Sequence, residues 1–483
     1  PGFLRLEYAV LALAIVVIML DLFAQEDKRR YVGWVAAAGL AGILVFWGGF
    51  FPPEYGSAFD NSYVMDPLAL FFKRFFLLAG VIVMVISAEY SRHIKSGVSE
   101  FFALQLFALL GMMFAASANH FMLLFVALEL MTVTFYILVG YLRNRVDSLE
   151  AGVKYLILAA LSSGFLVYGI ALVYGVSGEM GFYELSMKLQ SDPILVANPI
   201  LKIGLLLIFL GLAFKLAAFP VQIWAPDVYQ GAPTPTAAFL AVGSKAAGVV
   251  LLMRLLGQAA YDVTSSWEKM LMVISALTIL YGTLCALPQR NLKRLLGYSS
   301  IASAGYLLMG FAAMNTTGSI AILYYMAGYL FTVLAAFAVI AIVAEKAGLE
   351  DVNSLAGLSR RSPMLAAVLS LSMVSLAGVP PLAGFFGKFM LFKAVLERSV
   401  QSRAYLLLIG VAVIGVLISL YYYFNVIRAI YWSKEPADLT PIEVGTPMRL
   451  ALAVCVVGML WLGMFPDGAL DMAGKAVAVL RLH

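Results

Sequence analysis

GLAFKLAAFPVQIWAPDVYQGAPTPTAAFLAVGSKAAG, Gly211 to Gly248, sets two lysines, Lys215 and Lys245, inside apolar runs on either side of a proline-punctuated turn. Each lysine lies about 10 residues from the nearest end of its run, roughly halfway through a ~30 Å hydrocarbon layer at ~1.5 Å per residue. An ammonium at that depth costs on the order of 3 kcal/mol or more, so such residues face a bundle interior or a hydrated cavity and mark ion pathways. Pro220 interrupts the first run one turn beyond Lys215 and leaves backbone carbonyls without helical partners.

The rest of the chain has the composition this reading needs. Of its 483 residues 63% are hydrophobic and 12% charged, against about 25% charged in soluble domains, which makes it an integral membrane protein. Cys285 and Cys455 stand singly in apolar runs and read as buried free thiols, with no spacing for a metal, an iron–sulfur cluster or a disulfide framework. His93 and His120 fall at helix ends and His483 is the last residue; no facing pair remains to ligate haem, which argues against a b-type cytochrome. The formal charge of +5 reports topology rather than nucleic acid, because the basic residues collect in short loops. Residues 4–23 are followed by no small-residue cleavage site and read as a retained first span.

Apolar segments long enough to span recur at 4–23, 31–51, 64–88, 101–117, 119–141, 151–175, 199–225, 234–256, 268–287, 291–313, 318–344, 363–397, 403–431 and 448–465. The fold class is therefore all-α, a polytopic membrane protein of about 14 transmembrane helices in a single membrane domain over 1–483. Within it, 1–100 holds accessory helices one to three, 101–256 and 268–431 form two five-helix repeats (helices 4–8 and 9–13), and 448–483 holds the last helix and a C-terminal segment. An odd repeat length inverts the second set across the membrane. In each set the fourth helix is broken, helix seven by Pro220 and Pro226, and helix twelve by Pro380 and Pro381 between Gly378 and Gly384. Interrupted helices in corresponding positions of two inverted halves point to a midplane ion site. Basic residues gather in alternate loops: Lys28, Arg29 and Arg30; Arg92 and Lys95; Arg143 and Arg145; Arg290, Lys293 and Arg294; Lys346, Arg360 and Arg361; Arg428, Lys434 and Arg449. Those loops are expected on the cytoplasmic side and both termini outside.

Four ionisable groups stand well inside the spans: Glu129, Lys215, Lys245 and Lys388. Desolvation disfavours a charged amine and a nearby carboxylate favours it, so a buried lysine whose acid comes and goes can load and release a proton. As an alternative, Glu129 and Lys215 form a static pair that fixes helix packing. Lys202, Arg254, Lys393 and Arg398 sit near helix ends and are expected to snorkel to the interface, as are Lys73 and Arg74 in the first turns of helix three. Asp227, after Pro226, reads as a loop or capping residue. Ser162, Ser163, Tyr325, Tyr329 and Thr332 are assigned to interhelical hydrogen bonds. The run from Gly297 to Tyr306, with Tyr298 and Ser303, is kept as a candidate lining for a water path.

KYLILAALSSGFLVYGIALVYGVSG (154–178), FKLAAFPVQIWAPDVYQGAPTP (214–235), NLKRLLGYSSIASAGYLLMG (291–310) and SLAGVPPLAGFFGKFMLF (375–392) carry a family resemblance over nearly the whole chain. It resembles the antiporter-like membrane subunits of bacterial complex I, the proton-pumping NADH:quinone oxidoreductase, which are related to subunits of multi-subunit cation/proton antiporters. Lys388 resembles subunits N and L better than M, which carries a glutamate in helix twelve, and the loop QGAPTP favours N. The resemblance implies that the helix-five glutamate is Glu129 and that the lysines of helices seven, eight and twelve are Lys215, Lys245 and Lys388. The helix-ten run reads SSIAS where the family commonly has SSIAH. Ser303 thus stands in a histidine's place, and any proton step there falls to water held by Ser303, Tyr298 or their neighbours.

The implied role is proton translocation driven by quinone reduction in other subunits, in the bacterial cytoplasmic membrane. No cofactor or metal site is expected in this chain; NADH, FMN, iron–sulfur clusters and quinone belong to partner subunits. The implied partners are subunit M, the small membrane subunits J and K, the lateral helix of subunit L and the lipid bilayer, with no nucleic acid. Two other readings stand beside it, a component of a multi-subunit cation/proton antiporter and a non-conducting membrane scaffold.

Overall fold

The computed structural model describes residues 2–25, 29–348, 350–400, 402–432 and 440–480; Lys28, Lys434 and His483 lie outside the described residues. The membrane helices are α1 Arg5–Phe23, α2 Arg29–Ile43, α3 Pro67–Tyr90, α4 Val98–Ala116, α5 Phe121–Val139, α6 Val146–Ser177, α7a Pro199–Leu216, α7b Trp224–Gly231 and α8 Thr234–Ala259. They continue as α9 Glu268–Ala286, α10 Leu292–Ala312, α11 Thr316–Ala347, α12a Pro363–Ala377, α12b Ala383–Arg398, α13 Ala404–Trp432 and α14 Thr446–Met464. Among the described residues thirteen helices are long and apolar enough to cross a membrane. The fourteenth sequence segment, 363–397, is the broken pair α12a and α12b.

Side-chain caps set several helix starts. Asp66 accepts from Ala69 N at 2.7 Å ahead of Pro67, Asn198 accepts from Ile200 N at 2.9 Å ahead of Pro199, and Asn291 and Asn315 cap α10 and α11. Each combines an acceptor for an orphan N–H with a neighbour suited to the first turn. The loop before α3 departs from helix: β1 Gly56–Ala58 pairs antiparallel with β2 Tyr63–Met65, with Gly56 opposite Met65. Phe59, Asp60 and Asn61 turn this hairpin at positive φ.

Helices α4, α5, α6, α7a and α8 pack in sequence, and α8 closes back on α4; α9, α10, α11, α12a and α13 repeat the order, with α13 closing on α9. Two rings of five with the same neighbours follow from the same pattern of spans. α7b bridges the two rings, packing on α6 of its own and on α10 of the other, and the start of α8 packs on α11. This interlock leaves the apolar spans of α8 and α10 buried, so Lys245 and the hydroxyls within those spans face protein. α1, α2 and α3 lie against α4.

The basic loops share a face. Tyr141 Oη donates to Gly97 O at 2.5 Å, Lys293 Nζ to Ala232 O at 2.8 Å, Leu292 N to Glu350 O at 2.8 Å and Ile442 N to Arg361 O at 3.2 Å. The acid-rich connections meet on the other face, where Asn119 N donates to Ser62 O and Phe182 N to Asn119 O, both at 2.9 Å.

Candidate functional site

Both broken helices stop where the sequence removes the means to continue. α7a ends at Leu216, with Ala217 left-handed at φ 58° and a cis Phe219–Pro220 bond beyond. Its freed carbonyls find new donors: Trp224 Nε1 reaches Phe214 O at 3.0 Å, while Phe219 N is taken by Thr278 Oγ1 of α9 at 3.0 Å. Irregular backbone survives at membrane depth only when protein satisfies it in this way. α12a ends at Gly378, φ 83°, followed by cis Pro380–Pro381. Here Gly384 must be glycine, since a Cβ would stand 1.8 Å from Ser375 O.

Lys215 therefore sits in the last turn of a half-helix rather than mid-helix, buried at 6% exposure. Its Nζ donates to Thr132 Oγ1 of α5, and the rings of Tyr155 and Phe214 flank it at 5.9 and 5.7 Å. Glu129 lies three residues before Thr132 and stays within electrostatic reach of Lys215. Its Oε1 accepts instead from Ser163 Oγ of α6 at 2.5 Å. The acid and the amine thus hold different hydroxyls, Ser163 and Thr132, and are not bonded to each other.

Lys245 follows a π-wound turn, Leu240–Ser244, inside α8, a feature common at functional positions and invisible to apolar periodicity. At 1% exposure it donates to Ser300 O and Oγ, both at 2.5 Å, and lies 5.0 Å from the Tyr329 ring. Ser300 Oγ also meets Tyr229 Oη of α7b at 3.2 Å. One turn after Lys245, Gly248 lets α8 run against α7a: a Cβ there would be 3.0 Å from Lys215 Cβ. That close approach brings the first two lysines to adjoining turns.

Lys388 on α12b reaches back to cap α12a, donating to Leu376 O at 2.8 Å and Ala377 O at 3.3 Å, with the Tyr306 ring 4.9 Å away. Between it and the Tyr329 beside Lys245 lies a cavity of about 10 Å³ lined by Tyr325, Tyr329, Thr332, Ser375, Gly384 and Lys388, room for about one water. Thr332 Oγ1 and Ser375 Oγ, 3.0 Å apart, form its polar wall. Among the described residues no ion pair involves Glu129, Lys215, Lys245 or Lys388.

The two candidate lining residues of α10 fall differently. Ser303 donates to Ser299 O at 3.0 Å and lies within side-chain reach of Tyr325 on the cavity wall. Tyr298 points the other way, stacked 5.8 Å from the Arg294 guanidinium. Tyr325 and Tyr329, expected to serve only interhelical bonds, line the cavity; Ser162 does bond between helices, to Gly211 O at 3.2 Å. Thr132 and Tyr229 were missed, although Thr132 stands at i+3 from Glu129, on the same helix face.

Several charged residues depart from the snorkelling expected of them. Lys202 and Lys393 are exposed and Arg398 pairs with Glu268 at 3.4 Å. Arg254 and Lys73, however, are fully buried because each finds an acid. Arg254 makes a two-pronged pair with Asp66, both bonds 2.9 Å, and donates to Ala116 O. Lys73 pairs with Glu7 of α1 at 2.5 Å beside Tyr63 Oη at 2.7 Å. Lys293, read as a loop cation, is likewise buried against Glu350 at 2.8 Å. Asp227 is neither loop nor cap: in the first turn of α7b it joins Lys154 of α6 at 2.8 Å to Arg294 of α10 at 2.6 Å. Partial burial opposes its charge, and the hydrogen bonds from Lys154 and Arg294 outweigh that and hold its carboxyl below the usual range. Cys455 is buried and Cys285 half-buried, both free.

Residues 118–418 match the family model described as NADH:quinone oxidoreductase/Mrp antiporter, TM. The chain is 39% identical to NADH-quinone oxidoreductase subunit N of Moorella thermoacetica, covering 96% of this chain and 95% of that one. It is also 38% identical to the Rhodospirillum rubrum protein of the same name, covering 98% and 96%. A chain of respiratory complex I from Thermus thermophilus superposes with a TM-score of 0.79 at 31% identity, over 97% of this chain and all of that one. A chain of the Mrp complex from a Dietzia species shares the fold, with a TM-score of 0.81 at 20% identity over 99% and 97%.

Proposed function

The chain belongs to the NADH:quinone oxidoreductase/Mrp antiporter transmembrane family, and from that premise we propose that it is the antiporter-like, proton-translocating subunit N of a respiratory NADH:quinone oxidoreductase. It passes protons along Glu129, Lys215, Lys245 and Lys388 while redox chemistry proceeds in other subunits. The observation that carries this reading is the arrangement of Lys215, Lys245 and Lys388 at helix breaks and a π-turn. Each is buried, among the described residues none has a carboxylate bonded to it, and a small cavity with the Thr332 and Ser375 hydroxyls in its wall lies between the last two.

The parts act as follows. With Glu129 held by Ser163, Lys215 rests on a neutral hydroxyl, a weaker partner than a carboxylate. Bringing Glu129 to the amine favours loading, and withdrawing it favours release toward Lys245 across the Gly248 contact. From Lys245 the route leads through the Tyr329, Thr332 and Ser375 cavity to Lys388. Moving one charge against 100 mV requires roughly 2.3 kcal/mol, which the chain takes from conformational change imposed by quinone reduction elsewhere. The proposed neighbours are subunits M, J and K and the lateral helix of L. We place both termini on the outer side and no redox cofactor in this chain.

The test is Lys215→Ala in the assembled complex, reconstituted in vesicles. Retained assembly with proton pumping abolished is the expected result. Full pumping by an assembled variant overturns the assignment and leaves the chain a scaffold.

A further inference from the structure

Away from the lysine path, a groove of about 580 Å³ opens on the surface at the seam where α3 of the accessory helices meets α11 of the second ring. Leu70, Phe71 and Leu78 of α3 and Leu330 and Phe331 of α11 make its sides apolar, and Met472 of the helix Asp467–Val477 closes one end. Two cations, Arg74 and Lys475, also line it.

We propose that this groove binds one anionic glycerophospholipid, an acyl chain along α3 and the phosphate against Arg74 and Lys475. Three observations carry the assignment. The end of α2 is π-wound over Leu44–Phe50, which brings Gly48 and Gly49 to the wall, where a Cβ on Gly49 would meet only Leu44 O at 3.7 Å. That is ordinary van der Waals contact, so a side chain can be placed there without displacing backbone. Arg74 donates its Nε to Gly48 O at 2.7 Å, and among the described residues no hydrogen bond is made by its two Nη groups. Lys475 faces Asp471 at 2.6 Å, so two cations stand against one carboxylate, a net of one positive charge suited to a phosphate diester.

Charge and polarity select the occupant: the apolar sides suit a hydrocarbon chain, and Arg74 and Lys475 on the same groove suit an anionic head. Tyr55 lines the groove, and exposed Phe46, Trp47, Phe50 and Phe51 stand in or next to the π-wound segment that carries Gly48 and Gly49, aromatic residues of the kind found at headgroup level. The lipid would fill the seam between α3 and α11 and join the accessory helices to the second ring.

The experiment compares three forms of the native complex: wild type, Arg74→Gln and Gly49→Leu, whose side chain enters the groove. Each is incubated with phosphatidylglycerol or phosphatidylcholine, washed in detergent, and assayed for retained phospholipid by mass spectrometry and phosphorus content, with assembly checked by size. Wild type should retain one more phosphatidylglycerol per complex than either variant and at least tenfold less phosphatidylcholine at that site. Equal retention in all three forms, or equal retention of the two lipids by wild type, overturns the proposal. So does a density map of the native complex with a neighbouring subunit's helix in the groove. Because Gly49→Leu leaves the cations and Arg74→Gln leaves the cavity, failure of one to assemble still leaves the other decisive.

Discussion

Replacing Thr132 with valine should clamp the lysine switch shut. Lys215 Nζ is held by Thr132 Oγ1, and that hydroxyl donates its own proton to Leu128 O at 2.5 Å, which leaves its lone pairs for the ammonium. Glu129 sits three residues earlier on the same helix, about 4.5 Å along the axis, so the amine chooses between two partners on one face. A hydrogen bond to a charged group contributes about 1.5–3 kcal/mol. Valine keeps the branched shape and removes the acceptor, so the balance moves toward the Glu129-bound amine by about 10- to 150-fold at 1.4 kcal/mol per decade. A switch biased that far toward its loaded state releases protons rarely. The assay is proton uptake per electron in vesicles carrying the assembled complex, with quinone reduction measured in parallel. Thr132→Val should lower uptake per electron several-fold and Thr132→Ser, which restores an acceptor, should return it. If Thr132→Val assembles and pumps as wild type does, Thr132 is not the alternative partner and the switch does not work by exchange.

Asp66→Asn keeps the N-cap to Ala69 but discharges the partner of fully buried Arg254, and should cost about 3 kcal/mol in detergent-induced unfolding, with Arg254→Met in the same chain recovering most of it. Asp227 has its carboxyl held below the ordinary range by Lys154 and Arg294. Its stabilisation is therefore complete above about pH 4 and lost as pH falls through the folded value, so Asp227→Asn should melt earlier than wild type at pH 7, with the gap closing in acid. Gly384→Ala puts a Cβ 1.8 Å from Ser375 O and should reduce assembled complex several-fold on membrane blots. Gly410→Ala, with nothing within 4 Å, serves as its control and should be silent.

The spans and their breaks could be read from the sequence because two strong signals coincide there. Runs of some twenty apolar residues have no use in water, and Pro220, Pro226, Pro380 and Pro381 cannot continue a helix. Glu129, Lys215, Lys245 and Lys388 stood out for a similar reason, each being costly in its own run. What stayed hidden depends on contacts between distant segments. Lys73 and Arg254 sit at helix ends, where snorkelling is the ordinary outcome, and only the fold reveals that Glu7 and Asp66 come to meet them. The π-turn before Lys245 leaves no mark in apolar periodicity, and the hairpin at residues 56–65 is too short for one. The cavity walls were assigned to packing because a tyrosine on an apolar helix usually serves that purpose; Tyr325 and Tyr329 become polar lining only when α12 breaks opposite them.

The breaks also explain how the second ring holds a buried lysine without an acid. A half-helix ends in carbonyls that have no backbone donor and carry the negative end of the dipole, and a cation close to that end is stabilised. Lys388 takes two such carbonyls, Leu376 O and Ala377 O, from the helix half it does not belong to. Lys215 occupies the last turn of its own half and has Glu129 nearby as well. The same broken helix thus supports two kinds of site. In the first ring the proposed exchange of Glu129 would add a variable term to a fixed one and let the occupancy of Lys215 be driven. In the second, Lys388 rests on the fixed carbonyls, and under the proposed relay its occupancy would follow what reaches it through the cavity from Lys245. Protons would then be loaded where the acid is and relayed where it is not, which gives the path a direction from the structure of the two breaks.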